Sequence, residues 1–268
     1  MSKKASKSIL NTLHIRCGHD IEDRLVEAGI EGHYLCFTDP AWLGPPPQFN
    51  AWVAGRAQLI AERTGLPRAQ VREELGDSYW RLARAPKEYK RIVLWFEHDL
   101  YDQAALARVL SSFATRAKLP PIELIQIEGA LGEMSAEQLL KLWPKRKRVT
   151  AAQMAQAKAV WSALCAETPE SLTQLVKKGL RDLPFMKAAL VRHLQELPWT
   201  GDGLSLTERQ VLHAGPARSE HPFRLRHMHQ ARQRITDARQ CAAGWHVAHS
   251  ALSQAPQGGQ HGRVVAVG

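Results

Sequence analysis

Glu97, His98, Asp99, Asp102 and Gln103 fall within the nine residues Trp95 to Gln103, WFEHDLYDQ. Carboxylates beside an imidazole can hold it as a general base, bind a divalent cation or orient a polar small molecule. A second polar group stands at Cys17-Gly18-His19-Asp20, and a further acid, Asp39, lies in Thr38-Asp39-Pro40. On residue type, His98, Asp99, Glu97, Cys17 and Asp20 are the candidate reacting groups; Gly18, His19, Asp39, Asp102 and Gln103 are the candidate ligand-binding ones. Each also has a structural reading: Asp20 and Asp99 as helix caps, His98 bonded to a loop carbonyl, Cys17 packed as a small hydrophobe. That reading explains any one of them alone, whereas their clustering argues for a site. Neither a Walker pattern nor GxGxxG is present, and no histidine pair at i, i+4 stands beside the carboxylates. Cofactor and metal are therefore unassigned.

The elements that must position these groups read as alternating strands and helices. Thr12 to Cys17 is a first strand, followed by a turn at Gly18 and a helix with Ile21, Leu25 and Ala28 on one side. Gly32 to Phe37 is a second strand, ended by Asp39-Pro40. Gly44-Pro45-Pro46-Pro47 is a stiff extended loop. Helical patterns run from about Asn50 to Thr64 and from Pro67 to Ala85. Arg91 to Phe96 is an apolar strand, Leu106, Val109, Leu110 and Phe113 form the stripe of a helix opening near Tyr101, and Ile122 to Ile127 is a further strand. The expectation is an α/β fold with a small, mostly parallel sheet of about four strands and flanking helices. Its polar corners follow strand ends, where open sheets keep their ligand crevices. If the first and third strands are neighbours, the Cys17 turn, Asp39 and Glu97-His98-Asp99 share one crevice.

After Glu128 only helical patterns remain. Ser135 to Gln138, Thr150 to Gln153 and Ser205 to Glu208 each carry capping-box spacing. With a boundary near residues 129–134, the expected organisation is a flexible N-terminus at 1–11, an α/β domain at 12–130, an all-helical second domain at 135–213, and an irregular tail at 214–268. Seven of the twelve histidines lie from His213 onward; the tail lacks an apolar stripe and reads as disordered or altered. The net charge of +10 is uneven: 17 cations face 16 acids in residues 1–130, 11 face 6 in 131–200, and 8 face 4 in 201–268. The exposed run Lys145-Arg146-Lys147-Arg148 is a solvated charge run or a grip on nucleic-acid phosphates. Trp143, Trp161 and Trp199 sit among apolar neighbours and read as packing residues. No apolar run approaches the roughly 20 residues of a membrane span. Four scattered cysteines and a polar N-terminus point to a cytoplasmic protein with reduced thiols and no membrane partner.

With WFEHDLYDQ, LHIRCGHDI (Leu13 to Ile21), Thr38-Asp39-Pro40 and LPWTGDGLSLTERQVL (Leu197 to Leu212) in view, the chain resembles the bacterial family catalogued as domain of unknown function 1835, over roughly residues 13–212. That resemblance implies a helical half ending in the start of a winged-helix-type module, and it carries no activity. The chain departs from the family pattern in two places. His19 stands where a small residue is usual, and no apolar-patterned segment follows the Thr-Glu-Arg-Gln helix. Two functions are weighed: an enzyme or small-ligand binder using the polar crevice, and a nucleic-acid-binding or regulatory protein using the basic helical half.

Overall fold

Four runs rich in Ile, Val and Leu become parallel strands, and their order decides where the polar corners meet. The computed structural model describes residues 11–37, 39–40 and 49–214. In it β1 (Thr12–Arg16), β2 (His33–Cys36), β3 (Arg91–Glu97) and β4 (Ile122–Ile127) are parallel in the order β2-β1-β3-β4. A fifth strand, β5 (Lys147–Arg148), pairs antiparallel with β4. Its two exposed side chains give it no apolar pattern, which is why four strands are expected from sequence and five are found. The proline loop, the tail after 214 and residues 1–10 lie outside the described residues.

The helices are α1 (Glu22–Glu27), α2 (Phe49–Thr64), α3 (Arg68–Glu88), α4 (Leu100–Ala114), α5 (Ala136–Leu142), α6 (Ala151–Leu164), α7 (Glu170–Lys178), α8 (Met186–Leu194) and α9 (Leu206–Ala214). All three expected capping boxes form, at Ser135, Thr150 and Ser205, each with side chain and backbone bonded reciprocally. Pro67 stands just before α3 rather than in its first turn.

Right-handed crossovers put helices on both faces. The β1-to-β2 connection runs one way along the sheet and the β3-to-β4 connection the other, so α1 and α4 cover opposite faces. Side-chain alternation agrees. Val93, Trp95 and Ile125 pack with Ile21, Leu25, Leu131 and Leu139 on the α1 and α5 side, where Trp143 stacks on Trp95 with ring centroids 6.2 Å apart. On the other side α4 packs against β3 and α6 against α4, while α2 and α3 join through Ala57, Val71 and Leu75.

The expected division near 129–134 gives way here. β5 hydrogen-bonds to β4, and α6 packs along α4, so residues 135–190 belong to the same compact unit as the sheet. That unit ends at Leu190, and a second begins at Val191. Helical patterning after Glu128 reports a change of element type, which need not coincide with a change of core. Within the second unit a turn through Gly203, at φ 72°, returns the chain so that the Trp199 amide bonds the Leu204 carbonyl. Trp199 is not packed away as expected: it is 43% exposed, with the Arg209 guanidinium 3.8 Å from its ring centroid.

Candidate functional site

In the order β2-β1-β3, chain direction across the sheet reverses between β1 and β3, which makes their carboxyl ends the topological switch point. Arg16, the last residue of β1, occupies it, and it is buried. Its Nη1 donates to Asp102, its Nη2 to Glu97 at 2.5 Å, and its Nη2 and Nε to the two oxygens of Asp20 at 3.0 and 3.3 Å. Glu97 ends β3, Asp102 lies in the first turn of α4, and Asp20 precedes α1. Three chain segments thus close on one guanidinium, whose planar fork suits several carboxylates at once.

The acids are themselves held. The Glu97 amide donates to Asp102, and the Leu131 amide donates to the Glu97 carboxylate at 2.7 Å. Burial pushes the Asp102 carboxyl up to about 7; Arg16 pulls it down and Asp99 adds to the rise. Burial likewise raises Glu97 against the pull of Arg16. For Arg16, burial disfavours the charge, but Asp102, Asp20 and Glu97 outweigh it and the net shift is upward. The Asp20 side chain is 37% exposed against 6% for Arg16, so Asp20 is the solvent-facing member.

The remaining sequence candidates divide. Asp99 is the N-cap of α4, its Oδ1 accepting from the Asp102 amide at 3.0 Å, which fixes the turn that delivers Asp102. Gln103 donates to the Glu97 carbonyl at 2.5 Å and accepts from Gln126. The Gly18 carbonyl accepts from the Tyr34 hydroxyl at 2.6 Å. Cys17 is buried, and burial and then Asp102 push its thiol well up, which disfavours the thiolate. His19 is exposed and pairs with Glu22. His98 is also exposed, and its Nδ1 accepts from the Gly129 amide at 3.2 Å. Asp39 does not join Arg16: it is fully buried, bound by Arg56 at 2.5 and 2.9 Å and by the Tyr79 hydroxyl.

Sequence reasoning missed Arg16, the centre of the arrangement. The available signal was a lone cation in an otherwise buried strand, a place where arginine is rare unless paired. Gly132 was missed as well. A Cβ there would stand 2.7 Å from the Asp20 carboxylate, so the close approach of this loop requires glycine.

Among the described residues no set of three His, Cys, Asp or Glu side chains is arranged to hold a metal ion. The carboxylates turn inward onto Arg16, which stands where a cation would. The basic run is only partly free. Arg146 donates to Glu123 at 3.0 Å and to the Trp143 carbonyl and lies over the Trp143 ring, while Lys145, Lys147 and Arg148 are exposed. No helix among the described residues is long and apolar enough to cross a membrane. The fold and switch point define an open, mostly parallel α/β protein. Comparison with protein-family models, with curated proteins and with solved structures returns no match to the chain.

Proposed function

We propose that this protein is an enzyme or small-ligand binder acting at the carboxyl ends of β1 and β3, with Asp20 as the residue that meets the ligand. The observation that carries this reading is the closure of three carboxylates on Arg16 at the switch point, with one of them open to solvent. Three acids around one guanidinium leave an excess of negative charge, which favours a ligand carrying an ammonium, a guanidinium or several hydroxyl donors. Burial raises the Asp102 carboxyl to about 7, which fits it to balance a proton when such a ligand arrives. We extend the reading to a cytoplasmic protein of the domain-of-unknown-function 1835 family.

Thermal-shift screening of the full chain against amines, guanidines and polyols tests the site. Compounds of these classes should raise the melting temperature, and Asp20→Asn should lose that response. The reading fails if no such compound stabilises the protein, or if Asp20→Asn responds equally.

A nucleic-acid role for the basic half rests on the exposed Lys145, Lys147 and Arg148. Two of these charges, Lys147 and Arg148, make up a two-residue edge strand, where they also discourage edge-to-edge pairing, so this reading is second. Binding to DNA or RNA that weakens steeply with salt, and less so after the three are replaced by Gln, would favour it.

A further inference from the structure

Helix α3 buries one face, through Val71, Leu75, Ser78, Leu82 and Ala85, and leaves the opposite face without a partner among the described residues. On that outer face Ala69, Gly76 and Ala83 recur every seven residues, and Glu73, Trp80 and Lys87 do so beside them. Spacings that alternate between four and three residues make one straight stripe, the period at which a helix packs along another helix. All six positions except Gly76 are exposed. Trp80 is 56% exposed, with the Arg84 guanidinium 4.5 Å from its ring centroid, and it borders an open groove shared with Ala69, Arg72, Glu73, Gly76 and Asp77. A tryptophan held out in water in the middle of a helix is the residue type that most often anchors the centre of a protein interface.

The charges along the stripe select its partner. Glu73 stands seven residues before Trp80 and Lys87 seven residues after it. An antiparallel copy of the same helix, with the two-fold axis at Trp80, sets each Glu73 against the Lys87 of the other copy and brings each Asp77 beside the other Arg84. A parallel copy would oppose Glu73 to Glu73 and Lys87 to Lys87. The ion pairs α3 makes within itself are Asp77–Arg81 at 3.9 Å and Arg84–Glu88 at 2.5 Å, so Glu73 and Lys87 have no partner among the described residues. The small side chains of Ala69, Gly76 and Ala83 let two such helices approach closely around the indole rings.

We propose that the outer face of α3 is the interface of an antiparallel homodimer, in which a second copy of this chain covers the Trp80 stripe. The two Trp80 rings meet at the centre, and a Glu73–Lys87 pair closes each end. The stripe from Ala69 to Lys87 runs about 27 Å along the helix. One helix a side is a small interface, so the dimer is weak and its population depends on concentration. This surface is separate from the Arg16 fork, and its failure leaves the reading of Asp20 untouched.

Sedimentation velocity of the full chain at low salt tests it. A reversible dimer is expected, filling between about 10 and 500 μM, the range in which a small interface associates. Trp80→Ala should weaken the dimer by about tenfold or more. Glu73→Lys and Lys87→Glu each set like charges across the axis twice and should weaken it several-fold. The double variant Glu73→Lys/Lys87→Glu swaps the pair and should recover the affinity of the parent, a rescue that no other docking register gives. All three positions are exposed, so the variants keep the fold. The proposal is overturned if the chain stays monomeric across that range, if a dimer forms that is indifferent to Trp80→Ala, or if the double variant associates no better than the single ones.

Discussion

Gly132 and Asp20 approach so closely that a Cβ on the glycine would lie 2.7 Å from the Asp20 carboxylate oxygen and 3.2 Å from its Cβ. The loop after β4 therefore presses on the acid that closes the Arg16 fork. Gly132→Ala should displace Asp20 and lower stability by about 1–3 kcal/mol, the usual range for overpacking. Gly18→Ala meets the same acid at 3.1 Å and should cost less. Denaturant midpoints of the two variants check the order; equal midpoints would mean that the loop yields freely.

Gly76 gives the reverse case. It lies inside α3 with nothing within 4 Å of a Cβ placed on it. Gly76→Ala should raise stability by about 0.5–1 kcal/mol, through helix propensity and a less flexible unfolded chain. A thermal melt that shows no gain or a loss would place an unseen neighbour on that face.

Asp102 should make stability fall as pH rises. Its folded pKa, about 7, lies above the unfolded value of 3.8, so the folded state holds the proton more tightly. The stability this contributes is fully present below about pH 4 and is lost as pH climbs through 7. Asp102→Asn removes the dependence. The stability of the variant relative to the parent should therefore increase between pH 4 and 7 and level off above pH 8. A flat difference across that range would show that Arg16 keeps Asp102 ionised throughout.

His14 works in the opposite direction. It is buried beside Trp95, whose indole N–H donates to its Nδ1 at 3.2 Å, and burial lowers its pKa to about 4 against a bond to the Glu31 carbonyl that raises it. With the folded value below the unfolded 6.5, the stability it contributes is present above pH 6.5 and is lost as pH falls toward 4. His14→Gln should flatten the acid limb of a stability-against-pH curve measured at 25 °C. An unchanged acid limb would assign that loss to other groups, such as His193, which burial also lowers to about 4.

The sequence by itself determined the local elements and their ends. Apolar runs from Arg91, Ile122 and Thr12 become strands because each is buried on two faces, and Ser135, Thr150 and Ser205 start helices because a hydroxyl three residues before Gln or Glu satisfies amides that are otherwise left open. These effects act within a few residues, so a linear reading captures them. It also placed Glu97, Asp102 and Asp20 at strand ends and first turns, where they are found. Only the tertiary structure decided what those acids face. Arg16 is 81 residues from Glu97 and 86 from Asp102, and nothing local says that strand order brings them together. The same holds for Asp39, which strand-end position groups with the fork but which α2 and α3 claim through Arg56 and Tyr79. Residues 135–190, too, share the first unit with the sheet, where α6 packs on α4 and β5 pairs with β4, and that choice is made by packing between distant segments.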